Sequence, residues 1–298
     1  MDTSLGMAFK QMAEMEREAR RTEKVVWLLG AGFSKPLGGP LFSELISHKL
    51  SWWIACWLES QGVHVNFPEE VADFFDGGRQ KGFWENAEEC LALINEAGSD
   101  KTTKAVVGDL GLQGSALADM EMRLSHFVAA ATSQFVHRSM KAKRLPEAWT
   151  PYEEWVRLLS DKDSVLSFNY DRVVENLLKR ANKRTCLLKL HGTVPMVEDL
   201  CADIADKKSI TSIAVPGPSK TQARENPAVA TYWEKAENIL GQADRLVVIG
   251  YSFPASDAYV RFFVLSNCNA KKVDVVVGPG PCGDIISGMF ARFLGKDA

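Results

Sequence analysis

Apolar positions along this chain follow two periodicities that alternate. Val25-Val26-Trp27-Leu28-Leu29 is a continuous apolar run that ends in glycines. A run of that kind marks a parallel strand buried on both faces. Ser164–Phe168, Cys186–Leu190, Arg245–Ile249 and Lys272–Val277 read as further strands, and Ser209–Val215 is expected to add another. Between them the spacing changes to that of helices. Asp171–Lys183 turns Val173, Val174, Leu177 and Leu178 inward, Asn226 and Pro227 open a helix to about Gln242, and Ser256–Ser266 reads as a further helix. Strands that alternate with helices predict a parallel sheet closed by crossovers.

A long helical stretch interrupts this order. Ser43 is expected to cap a helix whose stripe is Ile46, Leu50, Trp53, Ile54 and Trp57, with Gly62 as its stop. From 63 to 162 the pattern stays helical. Leu117, Met120, Leu124, Phe127, Ala131 and Phe135 mark one amphipathic helix, and Gly108 to Gly114 form a glycine-spaced loop before it. Thr150-Pro151-Tyr152-Glu153 reads as a capping box with proline at the first helical position. The expected class is α/β: a parallel sheet flanked by helices, carrying a large helical insertion. The expected division is an N-terminal helical arm over 1–24, a sheet domain made of 25–62 and 163–298, and an insertion or lid over 63–162. The arm, Met7–Glu23, is polar with scattered Met and Ala, suited to docking on a neighbour.

Composition narrows the function. The chain has 298 residues, 46% of them apolar, enough to bury a core without disulfide or metal staples. Lys and Arg number 35 against 38 Asp and Glu, which disfavours a nucleic-acid binder that works by bulk charge. Mean hydropathy is −0.11. No apolar run approaches the roughly 18 residues of a membrane span, and the charged first 24 residues lack the apolar core of a signal peptide. The six cysteines contain no C-x-x-C pair, and the five histidines no H-E-x-x-H. A cytoplasmic protein with reduced thiols and no metal is expected.

Ligands of an open parallel sheet bind beyond the carboxyl ends of its strands. The segments there are Gly30–Ser34, Asn169-Tyr170-Asp171, His191-Gly192, Gly250-Tyr251-Ser252 and Gly278-Pro279-Gly280. The first opens a loop with four glycines and two prolines between 30 and 40. Such a loop lets backbone N–H groups approach a phosphate, and equally makes a tight strand-to-helix turn. It lacks the Walker A spacing, and Lys35 stands where a dinucleotide fingerprint has its third glycine. Asp171 reads in isolation as a helix cap; Asn169 at the same mouth is less easily explained that way. His191 closes the run Leu187–Leu190, where an imidazole can serve as general base, and Gly192 is expected to leave room for a ligand.

Gly30-Ala31-Gly32-Phe33-Ser34, Ser167-Phe168-Asn169-Tyr170-Asp171, Lys189-Leu190-His191-Gly192 and Gly250-Tyr251-Ser252-Phe253 together resemble the motifs of the sirtuin-like superfamily, in their order. The match covers 25–62 and 163–280. The resemblance implies a Rossmann-like sheet that holds NAD+ as substrate. It assigns Gly30, Ala31, Gly32, Phe33, Ser34, Gly250, Tyr251 and Ser252 to nucleotide binding, and Asn169, Asp171 and His191 to catalysis, with His191 as base. Two departures matter. The four cysteines of the zinc module of protein-deacylating sirtuins are missing, since only Cys201 follows the L-H-G segment, and Gly39–Ser43 holds no acid–base pair. What remains resembles the bacterial effector branch: NAD+ glycohydrolases of antiphage defence and abortive infection, often oligomeric, switched on by assembly or a partner defence protein. The last loop, Gly278-Pro279, lacks the asparagine that relatives place near adenosine. The alternatives are an NAD+ or ADP-ribose binding module without turnover, a zinc-free deacylase, and a dehydrogenase, which the absent third glycine and ribose acid disfavour.

Overall fold

The computed structural model of the chain describes residues 23–97, 101–141, 146–213, 227–254, 257–278 and 281–294. Nearly all of the expected N-terminal arm, Asn226 and the Pro279-Gly280 turn lie outside them. Five parallel strands make one sheet: β1 (Val25–Leu29), β2 (Ser164–Ser167), β3 (Cys186–Lys189), β4 (Arg245–Ile249) and β5 (Lys272–Val276), in the order β3-β2-β1-β4-β5. That order is the doubly wound one, and the direction in which strands are added to the sheet reverses between β1 and β4. The expected α/β class with a parallel sheet flanked by helices is the one observed.

Period-two alternation sorts the strand residues into two cores. Val26, Leu28, Leu166, Leu188, Leu246 and Val248 face α10 (Pro227–Gly241), α11 (Ala258–Asn267) and α12 (Cys282–Leu294), with Trp233 and Phe290 fully buried among them. Val25, Trp27, Leu29, Val165, Val247 and Ile249 face α7 (Thr150–Leu158) and α8 (Val173–Arg180). Trp27 and Trp155 meet edge to face at 5.7 Å in that second core. So α7 is a sheet-covering helix of the β1-to-β2 crossover.

A third core lies within the helices between β1 and β2. It joins α2 (His48–Ser60), α3 (Phe67–Gln80), α4 (Ala87–Ala97), α5 (Lys101–Gly108) and α6 (Ser115–Lys141). Tyr170, just past β2, and Val194, just past β3, belong to the same core, as do Leu200 and Ile204 of α9 (Val197–Ala205). The helical layer therefore rests on segments beyond the carboxyl ends of β2 and β3. The helix α6 reaches both layers, with Leu124–Ala131 in the helical core and Phe135 and Val136 in the sheet core.

Several local expectations are corrected. The cap of α2 is Ser47, whose hydroxyl accepts from the Leu50 N–H at 3.3 Å; Ser43 lies in a short 3₁₀ turn. Trp53 is 42% exposed and pairs with the exposed Trp52, so Leu58 rather than Trp53 completes the stripe of Ile54 and Trp57. Thr150 is inside α7, Trp149 precedes it, and no side chain caps that end. The strand expected over Ser209–Val215 is reduced, over its described residues, to one antiparallel bridge between Gly192 and Ile213. Among the described residues no helix is long and apolar enough to cross a membrane.

Two glycines separate conformational from steric need. Gly250 has φ +63°, and a Cβ there would stand 2.2 Å from the Phe33 nitrogen; Gly62 has φ +82° with nothing within 4 Å. Gly62→Ala is expected to cost only the left-handed penalty of about 1–2 kcal/mol. Gly250→Ala must also displace the β1 loop and should cost clearly more, measured by urea denaturation. Equal losses would show that the loop gives way freely.

Candidate functional site

Beyond β1 the chain turns at once into α1 (Ala31–Ser34), a single turn, with Gly30 as its extended cap. The glycines there serve a close approach between two strand ends. The Gly30 N–H donates to the Ile249 carbonyl at 3.0 Å and the Gly32 N–H to the Gly250 carbonyl at 2.8 Å. A Cβ at Gly30 would meet Tyr251 at 2.6 Å, and one at Gly32 would meet the Gly250 Cα at 2.8 Å. The two N–H groups expected to cradle a phosphate are thus committed inside the protein. Phe33 is a core residue, its ring 5.0 Å from Tyr152 and 5.2 Å from Trp155, and its carbonyl accepts the Tyr152 hydroxyl at 2.6 Å. Its part is to anchor the loop. Ala31, Gly32 and Gly250 are half-buried and Ser252 is exposed, so these four form the accessible rim.

Beneath that rim three expected site residues form one hydrogen-bonded set. The Asn169 amide donates from Nδ2 to the Gly30 carbonyl at 2.9 Å and to Ser34 Oγ at 3.3 Å. Ser34 Oγ donates to Asp171 Oδ2 at 2.7 Å. Asp171 Oδ1 accepts the Val173 N–H at 3.0 Å; the cap residue of α8 is Arg172, and the Asp171 carboxyl ties the helix start to Ser34 from one residue before it. Ser34, Asn169 and Asp171 are at most 7% exposed. Residues 139 positions apart in the chain meet here because parallel pairing sets β1 and β2 in register, Leu29 beside Ser167.

His191 stands beyond β3, 2% exposed, within a group of rings. Phe168 is 5.0 Å away edge-on, Tyr170 6.2 Å and Trp233 6.5 Å, centroid to centroid. Phe168 and Tyr170 flank Asn169 in the chain, so His191 packs on both ring neighbours of that residue. Phe168 also stacks on Tyr251 at 4.7 Å. The expected room beside Gly192 is filled: Gly192 has φ +81°, and a Cβ there would stand 2.0 Å from the Ser212 carbonyl oxygen. The glycine exists for this turn and its bridge to Ile213.

The structure adds residues that the sequence argument passed over. Lys189 is 6% exposed; its Nζ donates to the Asp171 carbonyl and lies 3.5 Å from the Glu175 carboxylate. Glu175 in turn accepts the Thr193 hydroxyl at 2.9 Å. A lysine inside the apolar run Leu187–Leu190 was a visible signal, because lysine is almost never buried unless paired. Tyr152 and Trp233, whose Nε1 donates to the Leu190 carbonyl at 3.0 Å, carried no such signal. Among the described residues no group of three or more His, Cys, Asp or Glu side chains is placed to hold a metal.

Burial pushes the Asp171 carboxyl above the usual carboxylate range. The Lys189 charge, the Ser34 hydroxyl and the Val173 N–H oppose that rise, while Glu175 adds to it. One ammonium cannot neutralise two neighbouring carboxylates, and the more deeply buried one keeps the penalty.

The sequence matches no protein-family model and no curated protein. Among solved structures the chain is similar to Sir2Tm bound to a propionylated peptide, with 18% identity over 96% of this chain and 90% of that one, at a TM-score of 0.38. It is also similar to a Sir2 protein in complex with the inhibitor EX-527, 2'-O-acetyl-ADP-ribose and a deacetylated p53 peptide. There the identity is 18% over 93% of this chain and 90% of that one, at a TM-score of 0.34.

The raised Asp171 carboxyl makes a pH prediction. The folded state holds this proton more readily than the unfolded chain. The group's stabilising contribution is therefore complete in acid and is lost as pH rises through the lifted value. Asp171→Asn, which does not titrate, should gain on the wild type as pH rises from 4 to 8, by about 1.4 kcal/mol for each unit of lift. Denaturation curves across that range test this; a gap that stays flat with pH would refute it.

Proposed function

We propose that this chain is an NAD+ hydrolase that releases nicotinamide and leaves ADP-ribose. The observation that carries the reading is the set Asn169–Ser34–Asp171 near His191, drawn from the ends of three strands of a doubly wound sheet. The glycosidic bond breaks with departure of a neutral nicotinamide ring, so positive charge develops on the ribose. Both Asn169 amide hydrogens are committed to Gly30 and Ser34, which leaves Oδ1 as an acceptor for a ribose hydroxyl or the attacking water. Asp171, with both oxygens engaged, supports the cation through its charge from behind Ser34. His191 takes the proton from water or a ribose hydroxyl as general base. The rim of Ala31, Gly32, Gly250 and Ser252 receives the nucleotide.

The proposal extends to control. Helices within 63–162, with α7 given to the sheet, act as a cover, and the joint packing of Tyr170 and Val194 with that layer supports this placement. Near-complete burial of Asn169 and His191 fits an effector whose site opens only on assembly or on binding a partner defence protein. This reading places the protein in the cytoplasm as an antiphage effector that depletes NAD+, and it draws on the motif resemblance for that role. The residues 1–24 arm is the proposed contact for a neighbouring subunit. The internal pairing of Asn169, Ser34 and Asp171 also favours a second reading, an NAD+ or ADP-ribose binding module without turnover.

A nicotinamide-release assay without any peptide separates these readings. Turnover by the wild type, and losses of about 10²–10⁴-fold for both Asn169→Ala and His191→Ala with the fold intact, are expected. Undiminished activity of His191→Ala would remove the base assignment, and NAD+ binding without cleavage would leave the binding module. Elemental analysis should find no stoichiometric zinc; one zinc per chain would restore the deacylase reading.

A further inference from the structure

The nearly buried Lys189 is the feature of this site that neither chain packing nor the proposed chemistry explains. Its neighbours along β3 are apolar, and an apolar side chain would serve that strand better, because desolvating an ammonium costs several kcal/mol. Its contacts bridge three segments. Nζ donates to the Asp171 carbonyl beyond β2, faces Glu175 of α8 at 3.5 Å, and reaches through Glu175 to Thr193, two residues after His191.

We propose that Lys189 is a positioning residue: it keeps Asp171 as a hydrogen-bond acceptor, and so fixes the direction of the chain from Asn169 through Ser34 to Asp171. The proton logic is specific. Asn169 donates to Ser34 Oγ, and Ser34 donates to Asp171 Oδ2. A carboxylate can only accept, so the hydroxyl hydrogen has one direction and Ser34 keeps a lone pair for Asn169. Lys189, Glu175 and Tyr152 are the titratable groups whose fields couple to Asp171. Without the lysine, the field of the Glu175 carboxylate on Asp171 is left uncompensated, and burial already favours the protonated form of Asp171. A protonated Oδ2 would donate to Ser34 and turn its hydroxyl away, so that Ser34 Oγ has to accept from Asp171 and Asn169 together, one lone pair each. The amide would then follow the reorganised hydroxyl, and the aim of Oδ1 would shift.

The kinetic part of this inference rests on the NAD+ hydrolase reading; the linkage between Lys189 and Asp171 does not. The test uses full-length Lys189→Met, Lys189→Gln, Asp171→Asn and the Lys189→Met/Asp171→Asn double variant. In nicotinamide release, both Lys189 variants should lower kcat by about 10²-fold, as a misplaced reacting group does. KM should change by less than about threefold, because substrate binding is not what is lost. The double variant should be no slower than Lys189→Met, since both act through one chain of hydrogen bonds. Lys189→Gln keeps a donor and lacks the charge, so it reads out the charge even where Met impairs folding. An unchanged kcat with only lowered stability, or losses that multiply in the double variant, would overturn the proposal. Should the wild type leave NAD+ intact, the hydrolase reading fails alone. The same four proteins in urea then decide the linkage, with non-additive stability changes expected and additive ones overturning it.

Discussion

A carboxylate held away from water sets the terms for the rest of this molecule. Asp171 is 5% exposed, and a charge in that position survives only if its oxygens are engaged and a counter-charge stands near. Ser34 from the end of β1 and the Val173 N–H at the start of α8 engage its oxygens, and Lys189 from the end of β3, bound to the Asp171 backbone carbonyl, supplies a charge that offsets part of the burial cost. Three strand ends are therefore locked at one point, and the polar residues of the crevice take their positions from that lock. The same demand reaches Asn169, whose two amide hydrogens are consumed in holding Gly30 and Ser34.

A second constraint acts on the opposite side of β1. The loops after β1 and β4 approach so closely that no Cβ fits at Gly30, Gly32 or Gly250 without displacement. Each glycine here does a packing task that a reader of phosphate loops would credit to the ligand. The accessible rim then consists of what those contacts leave over, chiefly Ala31, Gly32, Gly250 and the exposed Ser252.

The helical layer is tied to this edge rather than hung from it. Tyr170 lies between Asn169 and Asp171 in sequence, yet its side chain belongs to the helical core, together with Val194. A shift of that layer would pull on the residues on either side of Tyr170. The helix α6, with one end in each core, couples the two layers further through Phe135, which lies beside Gly38 and Gly39. The helical layer and the polar set at the strand ends are thus mechanically linked, a condition that the proposed control by assembly would exploit.

The apolar pattern alone determined the architecture. Short apolar runs separated by helical spacing specify a parallel sheet with crossovers, and the bounds of β1, β4 and β5 follow the runs within a residue, while the sixth run, Ser209–Val215, yields only a bridge over its described residues. It also placed Ser34, Asn169, Asp171 and His191 at strand ends, since the carboxyl edge of a parallel sheet is defined by strand direction. Local competition among neighbouring polar residues was not legible, so the cap of α2 moved from Ser43 to Ser47 and Trp53 turned to solvent. Tertiary structure decided what each chemical group does. Spacing cannot show that the Gly30 and Gly32 N–H groups are spent on β4, that the Ser212 carbonyl fills the space beside Gly192, or that Lys189 folds under Asp171. Those outcomes depend on which backbone atoms of distant segments compete for the same donor or the same volume, and that is settled only when the layers close on each other.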